Sequence, residues 1–486
     1  MAFNSYIFIF IFFPLTLAGY WGIQKLGKPL PAKVWLLISS AVFLGYANLA
    51  FLPIIAGSIA VNYSAGYLMS KGIHKKIMNR KLFLVIGLIF DIGLLLYCKY
   101  TNFFLSTMNS LFFSSYDLIN IILPLGISFY TFQQIGFLVD RYKGETPDYS
   151  LLDYSLFVSF FPTVTSGPIT MHNILIPQFN DKLRHNFNSE SFARGIYVFA
   201  MGLAKKVLLA DLFAGVADWG FATDPATLGT VNAVLVMLSY TLQLYFDFSG
   251  YSDMACGIAL MLNLELPFNF DSPYRSLNIN EFWKCWHITL TQFLTQYVYF
   301  PLGGNRKGKL RTYINIMIVF LLSGLWHGAN YTFIIWGAMH GLASVISRIF
   351  KKQMDKWQPV CSWISTFLFV NIAWVFFRAE SIGHAVGILK ALLSMRLIEI
   401  SSDLVTSMTV PEINLLLIFT GKDKLPLILY PALFFIGIWI CVNSRNVKER
   451  MEKFKPGILQ AIATIVLIVW SILSLSNVSE FIYLNF

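Results

Sequence analysis

The chain has 486 residues, of which 56% are hydrophobic and 13% charged, and its mean hydropathy is +0.63. A soluble fold of this size cannot bury so much apolar surface, so the composition excludes one. The formal net charge of +11 does not indicate nucleic-acid binding, because the basic residues lie in short loops between apolar runs. We therefore expect an all-α polytopic membrane protein surrounded by lipid, with no nucleic-acid partner.

Apolar runs recur from end to end and predict about ten to twelve membrane segments. The positive-inside rule places the basic loops between them in the cytoplasm. One apolar run, roughly 457–476, follows the last basic loop, which predicts an extracytoplasmic C-terminus. The basic loops are Lys25 to Lys33, 71–81, 305–311, 347–352 and 445–455.

The sequence shows no internal repeat and no low-complexity linker, so it predicts a single membrane domain over residues 1–486. Polar and ionisable residues gather between about 120 and 345, and such groups at membrane depth typically line a cavity or a reaction path. The stretch LQLYFDFSGYSDMACGIA (242–259) contains Gln243, Asp247 and Tyr251. The segment 281–300 is too polar to face lipid, which predicts an interfacial or re-entrant helix. The run 312–347 contains two shorter apolar pieces and is expected to break near Gly324–Asn330.

Three histidines, His287, His327 and His340, lie within this polar-studded apolar region. Two of them follow tryptophans, and the GLWHG motif places a glycine on each side of Trp326-His327, which permits close approach of another segment. Two neighbouring buried imidazoles can hold one proton acceptor near neutral pH, as general-base chemistry requires. A hydrogen-bonded core histidine is the alternative interpretation of His327.

The other four histidines lie in loops or near helix boundaries, where we expect ordinary exposed or loop roles; they are His74, His172, His185 and His384. The five cysteines are scattered and form no CxxC pair. There is no HExxH motif. Asp247 and Asp253 are six residues apart, so we favour hydrogen-bonding roles for them over metal ligation. We predict no metal site and no bound cofactor.

The segments EFWKCWHITLTQFLTQYVYFPLGGNRKG (281–308) and LLSGLWHGANYTFIIWGAMHG (321–341) resemble the signature of the membrane-bound O-acyltransferases. LPLGISFYTFQQIGFLVDRYKG (123–144) and LYFDFSGYSDMACGIA (244–259) also fit the branch of alginate and peptidoglycan O-acetyltransferases. The resemblance covers most of the chain. It implies a ring of tilted transmembrane and re-entrant helices around a tunnel. It also implies transfer of an acyl group, expected to be acetyl, from a cytoplasmic thioester toward hydroxyls of a cell-envelope polysaccharide.

By this resemblance the near-invariant family histidine falls on His327 and the second histidine on His287, and both are expected to be catalytic. Lys284-Cys285 stands where paired arginines are frequent in the family, which leaves the donor contacts there open. The expected tunnel and substrate-binding residues are Trp283, Trp286, Trp326, Gln243, Asp247, Tyr251 and Asn330.

The resemblance also implies a donor, a partner and a location. The donor is expected to be acyl-CoA, in particular acetyl-CoA, or an acyl-carrier thioester. The expected partner is an extracytoplasmic SGNH-type serine transferase that collects the acyl group and esterifies the sugar. The expected location is the inner membrane of a bacterium.

The C-terminal tail, residues 477–486, ends in FIYLNF, which resembles the FxYxxF motif of some peptidoglycan O-acetyltransferases. There the tyrosine is taken to be an acyl carrier, which implies that role for Tyr483. A phenol ionises near pKa 10, close to a thiol at about 8.5 and far below water at about 15.7, so its ester keeps much of a thioester's transfer potential. The alternative is that the tail is an interfacial aromatic anchor.

Two other functions stay open at this point. D-alanyl transfer to teichoic acid belongs to the same family with a different substrate. A membrane transporter is a different class of protein, and intramembrane Asp and His residues serve it equally well. Covalent acyl label on the C-terminal peptide distinguishes a transferase with this carrier from a transporter.

Overall fold

The computed structural model describes residues 1–70, 79–396, 400–408, 425–475 and 481–482. The described residues form helices joined by turns and loops, and none of them forms a strand. Helices are expected in so apolar a chain because they satisfy every backbone N–H and C=O within one segment, where lipid offers no partner. The predicted all-α class is confirmed.

The chain divides into two compact units. The first unit consists of Met1–Phe199 and Met254–Pro267. Its helices are Phe8–Phe12, Phe13–Lys25, Pro29–Ala47, Phe51–Leu68, Arg80–Phe112, Ile127–Lys143, Leu151–Ser159, Phe161–Val164, His172–Asn180, Lys182–His185 and the greater part of Ser189–Ala204.

The second unit consists of Ala200–Asp253 and Phe268–Phe486. It contains most of the helix Thr230–Met261, here called the aspartate helix. Its other helices are Lys205–Ala210, Asp211–Ala222, Pro273–Arg275, Ile279–Cys285, Ile288–Leu294, Thr295–Tyr299, Lys309–His327, Tyr331–Ile349, Lys351–Met354, Pro359–Arg378, Ile382–Leu393, Ser402–Ser407, Leu425–Asn443, Val447–Glu452 and Ile458–Leu473.

Seven helices among the described residues are long and apolar enough to cross a membrane, judged by length and composition. Three shorter apolar helices accompany them: Ile382–Leu393, Pro431–Asn443 and Ile458–Leu473. The chain is therefore a multi-pass membrane protein. The number of segments, the sidedness of the loops and the single domain over 1–486 stay predictions. The seven long helices are Pro29–Ala47, Phe51–Leu68, Arg80–Phe112, Thr230–Met261, Lys309–His327, Tyr331–Ile349 and Pro359–Arg378.

The polar segment 281–300 is not one of the seven. It is divided among the short helices Ile279–Cys285 and Ile288–Leu294 and the π-helix Thr295–Tyr299. The following turn places Gly303 and Gly304 at φ 102° and 56°, a backbone region that favours glycine. The interfacial or re-entrant position of this segment stays a prediction.

The segment before His287 is held by a loop from the C-terminal region. The Asn446 side chain donates to Asp271 Oδ1 and Lys448 Nζ donates to Asp271 Oδ2, both at 2.7 Å. The Asp271 N–H in turn donates to the carbonyl of Cys285 at 3.0 Å. The hydrogen bond to Asp271 raises the pKa of Lys448. These contacts fix the C-terminal end of the helix Ile279–Cys285.

The helices Lys309–His327 and Tyr331–Ile349 form a tight antiparallel pair, here called the histidine hairpin. An added Cβ at Gly324 would lie 2.3 Å from the Phe333 carbonyl oxygen, and one at Gly337 would lie 2.4 Å from the Phe320 carbonyl oxygen. The two backbones therefore touch, and small residues at such crossings are typical of membrane helices.

We expect Gly337→Ala to destabilise the fold, because the methyl group has no space between the two backbones. Overpacking of this kind costs about 1–3 kcal/mol. Gly93→Ala is the matched control, since nothing lies within 4 Å of an added Cβ there and alanine favours a helix. Thermal unfolding in detergent should show a lower midpoint for Gly337→Ala alone. Equal midpoints for the two variants would contradict the close crossing.

Candidate active site

His327 is the last residue of the first helix of the histidine hairpin, and its side chain is buried. The backbone is extended at Gly328, and the next helix begins at Tyr331, which confirms the predicted break in the GLWHGAN sequence. The His327 ring lies 4.9 Å from Trp326 and 5.1 Å from both Trp336 and Phe377, centroid to centroid. Three aromatic side chains therefore surround this imidazole.

His287 lies between two short helices in a left-handed backbone conformation, with φ 42° and ψ 55°. Histidine is one of the residue types that tolerate this region, although at some cost. Asn269 holds the turn: its carbonyl accepts from the Ile288 N–H at 3.0 Å, and its side chain accepts from the Thr289 hydroxyl at 2.6 Å. The resulting orientation points the imidazole into the interior.

The two predicted catalytic histidines lie together. Their ring centroids are 6.4 Å apart, and Trp326 lies 5.9 Å from the His287 ring. His287 is fully buried, and His327 is 2% exposed. Among the residues that the structure describes, neither ring nitrogen of His287 has a hydrogen-bond partner. Two imidazoles thus share a dry aromatic environment suited to proton transfer.

The third buried histidine, His340, belongs to the same aromatic cluster. Trp283 Nε1 donates to His340 Nδ1 at 3.2 Å. Trp336 lies between the two histidines of the hairpin, at 5.1 Å from His327 and 4.8 Å from His340. Trp283 thus orients His340, and Trp336 connects it to the site.

A cavity of about 210 Å³ lies beside this cluster. Its lining is mostly apolar and includes Trp283, with the hydroxyl-bearing residues Ser323 and Ser344 and the exposed cation Arg348. Ser323 stands four residues before His327 and therefore on the same side of the helix. The cavity is thus lined both by the cation Arg348 and by the helical turn that precedes His327.

The aspartate helix connects the site to the tail. Phe248 packs edge-on against His287 at 4.8 Å and lies 5.8 Å from Phe481. Tyr251 stacks on Phe481 at 4.4 Å, and Asp247 accepts the backbone N–H of Ile482 at 2.9 Å. Tyr483 itself lies outside the described residues.

The remaining predicted tunnel residues are Trp286, Gln243 and Asn330, and each belongs to a different helix or helix end. Trp286 packs in the aromatic core, 4.9 Å from Trp374 and 5.6 Å from Phe282. Gln243 is buried in the aspartate helix. Asn330 caps the helix Tyr331–Ile349 by accepting the N–H of Thr332, and its amide donates to the carbonyl of Glu380. The placement of these residues in a tunnel stays a prediction.

The sequence analysis did not single out Lys206, which the structure shows to be buried. Its Nζ lies 2.6 Å from Asp247 and 3.0 Å from Asp211. The signal was present in the sequence, because the pair Lys205-Lys206 interrupts the apolar run GLAKKVLLAD, and lysines in such runs need carboxylate partners. No such signal marked Trp336, Phe377 or Phe248 among the many other aromatic residues.

The expectation of an ordinary loop role is wrong for His172. This side chain is buried, with Nε2 at 3.1 Å from Asp140 and Nδ1 at 3.0 Å from the Tyr149 hydroxyl. The polar sequence around it suggested a loop, but these two partners from distant positions satisfy both ring nitrogens. No three His, Cys, Asp or Glu side chains in the described ranges lie close enough together to hold a metal ion.

The structure thus combines a multi-pass membrane fold with two neighbouring buried histidines among aromatic side chains. The sequence model of the membrane-bound O-acyltransferase family matches residues 145–382. The peptidoglycan O-acetyltransferase of Helicobacter pylori is 43% identical to the chain, over 81% of this chain and 80% of the relative. The chain belongs to the membrane-bound O-acyltransferase family and is an acyltransferase.

Other relatives extend the comparison. The probable alginate O-acetylase of Pseudomonas putida is 40% identical, over 81% of this chain and 80% of the relative. The teichoic acid D-alanyltransferase of Bacillus subtilis is 27% identical over 54% of this chain and 71% of the relative. The expected resemblance to the O-acetyltransferase branch is confirmed, and the D-alanyltransferases are more distant.

We expect Asn330→Ala to destabilise the protein by about 0.5–2 kcal/mol, the usual cost of losing a helix N-cap. Asn330→Asp is the comparison variant, because aspartate caps equally well and loses only the bond that the amide donates to the Glu380 carbonyl. Thermal unfolding measures the loss, and acyl transfer per folded molecule should be unchanged in both variants. A transfer rate that falls in both variants at unchanged stability would instead support a role for the amide in the tunnel.

Proposed function

We propose that the protein moves an acetyl group from a thioester donor on the cytoplasmic side toward hydroxyls of a cell-envelope polysaccharide. Two relatives, each covered over about four fifths of its length, are named for O-acetylation of peptidoglycan and of alginate. D-alanyl transfer to teichoic acid has less support, since its named relative is 27% identical over 71% of its length.

The observation that carries the proposal is the pair of buried imidazoles at 6.4 Å, connected through Phe248 to the described end of the tail. His327 takes the phenolic proton of Tyr483 as that oxygen attacks the thioester carbonyl. The C–S bond breaks, and the departing thiolate takes the proton back from the imidazolium. His287 orients or supplements His327. The products are an aryl ester and a thiol, and no proton is gained or lost.

The cavity beside the histidines supports a route for the donor. Its apolar walls suit the extended arm of a thioester donor, and the lining residue Arg348 suits a phosphate. Arg348 lies in the last turn of the helix Tyr331–Ile349, within the basic stretch 347–352 that the positive-inside rule assigns to the cytoplasm. Acetyl-CoA or an acyl-carrier thioester would thus enter from that side.

The acyl group leaves on the opposite side. A tyrosyl ester retains enough transfer potential to acylate a serine, and a serine ester can in turn acylate a sugar hydroxyl. We therefore propose that the partner is an extracytoplasmic SGNH-type serine transferase, which removes the acyl group from Tyr483. The protein would then lie in the inner membrane of a bacterium with its C-terminus outside.

We expect His327→Ala to lower acetyl transfer by about 10²- to 10⁴-fold, the usual contribution of a general base. His185→Ala is the matched control, because the hydrogen bond that the structure gives for the His185 side chain is to the Phe179 carbonyl, within the first unit. Release of free thiol from acetyl-CoA measures the rate, and thermal unfolding confirms that both variants fold. Full activity in His327→Ala would contradict the assignment of His327 as the general base.

We expect Tyr483→Phe to abolish acylation of the C-terminal peptide, because the substitution removes the hydroxyl and keeps the ring. Tyr46→Phe is the control at an exposed tyrosine. Mass spectrometry of the C-terminal peptide, after parallel incubation with acetyl-CoA and with carrier-bound D-alanine, measures both acceptor and donor. A Tyr483→Phe variant that acetylates its polymer at the normal level would remove the carrier step.

A further inference from the structure

The last described residues of the chain lie in a socket on one face of the aspartate helix. Asp247 and Tyr251 are four residues apart and share that face. Asp247 accepts the Ile482 N–H at 2.9 Å, while Tyr251 and Phe248 pack on the Phe481 ring. We propose that Asp247, supported by Lys206, is a positioning residue that holds the C-terminal tail for acyl transfer.

The two oxygens of Asp247 have different partners. Oδ1 lies 2.6 Å from Lys206 Nζ, and Oδ2 accepts the backbone N–H of Ile482. Lys206 also pairs with Asp211 at 3.0 Å, so one ammonium faces two carboxylates. The charge on the Asp247 carboxylate strengthens the bond from the backbone amide, because charge-assisted hydrogen bonds are the stronger kind.

Burying the charges of Asp247 and Lys206 costs desolvation free energy, which a purely structural role does not explain. The side chains of Asp247 and Lys206 are 1% and 4% exposed. Buried ion pairs commonly stabilise a fold no better than apolar residues of similar volume. What the pair provides that apolar residues do not is a carboxylate oxygen at the place that the tail amide reaches. Lys206 belongs to the π-helix Lys205–Ala210, and such irregular turns occur frequently at functional sites.

The socket also contacts one of the two proposed catalytic histidines, His287. Phe248, next to Asp247 in the chain, touches both Phe481 of the tail and the His287 ring. Tyr483 follows Ile482 directly in the sequence. The bond to the Ile482 amide thus holds the residue that immediately precedes the proposed carrier in the sequence. The acyl group on the tail is part of the proposed function, and this inference rests on it there. The contacts that define the socket do not depend on that proposal.

The chain contains a matched control for the socket. Lys205, the neighbour of Lys206, pairs with Asp253 at 2.7 Å, and these side chains are also largely buried. Both ion pairs join the same two segments. Among the described contacts, the tail backbone reaches Asp247 and not Asp253. Asp253→Asn therefore removes a comparable ion pair while leaving the socket intact.

The experiment compares Asp247→Asn with Asp253→Asn in the full-length protein in detergent micelles. Hydrogen–deuterium exchange of the C-terminal peptide, measured by mass spectrometry, reports on the Ile482 amide. We expect exchange about fivefold faster in Asp247→Asn, because the neutral amide is the weaker acceptor. Asp247→Ala should exchange about tenfold faster or more, since it has no acceptor. Equal exchange in Asp247→Asn and Asp253→Asn would overturn the proposal.

A second measurement separates the socket from the carrier step. At saturating acetyl-CoA we expect Asp247→Asn to lower kcat for tail acylation several-fold, with the KM for the donor unchanged. A merely structural defect would lower the folded fraction instead, which thermal unfolding detects. If Tyr483 carries no acyl group in the wild-type protein, the carrier step is wrong. The hydrogen–deuterium exchange comparison still tests whether Asp247 holds the Ile482 amide.

Discussion

Lipid offers polar groups no hydrogen-bond partners, and the folded chain follows from that constraint. Its backbone groups are satisfied largely inside helices, and several of its buried polar side chains bond to one another. Asn62 donates to Asp91 at 2.7 Å in the first unit, and Trp283 donates to His340 in the second. Each such pair fixes one helix against another, because a slip of either helix would leave both groups buried and unsatisfied.

Close backbone contact and aromatic packing then form the site. Gly324 and Gly337 allow the two helices of the histidine hairpin to touch, which brings Trp336 between His327 and His340. Aromatic rings pack against His287 and His327 on several sides. An environment of this kind also excludes water, which would otherwise hydrolyse a reactive acyl ester.

The sequence was most informative where the determinants are local. Hydropathy, glycines and polar density predicted the break after His327 and distinguished the polar segment 281–300 from the spanning helices. The left-handed turn at His287 depends on Asn269, 18 residues earlier, and the Lys206–Asp247 pair joins positions 41 residues apart. His172 was misjudged for the same reason, because Asp140 and Tyr149 reach it only in the folded chain. Non-local contacts of this kind leave no periodic pattern.

A tail that carries an acyl group must be held firmly and yet leave its hydroxyl available. A socket that bound the phenolic oxygen itself would stabilise the unacylated state and compete with the reaction, since binding energy spent equally on the ground state gains nothing. Under the proposed function, contacts to Phe481 and to the Ile482 amide would avoid this conflict, because acylation of Tyr483 would change neither group. The proposed socket would then bind the unacylated and the acylated tail alike, so that positioning of the tail would be independent of the chemistry at Tyr483.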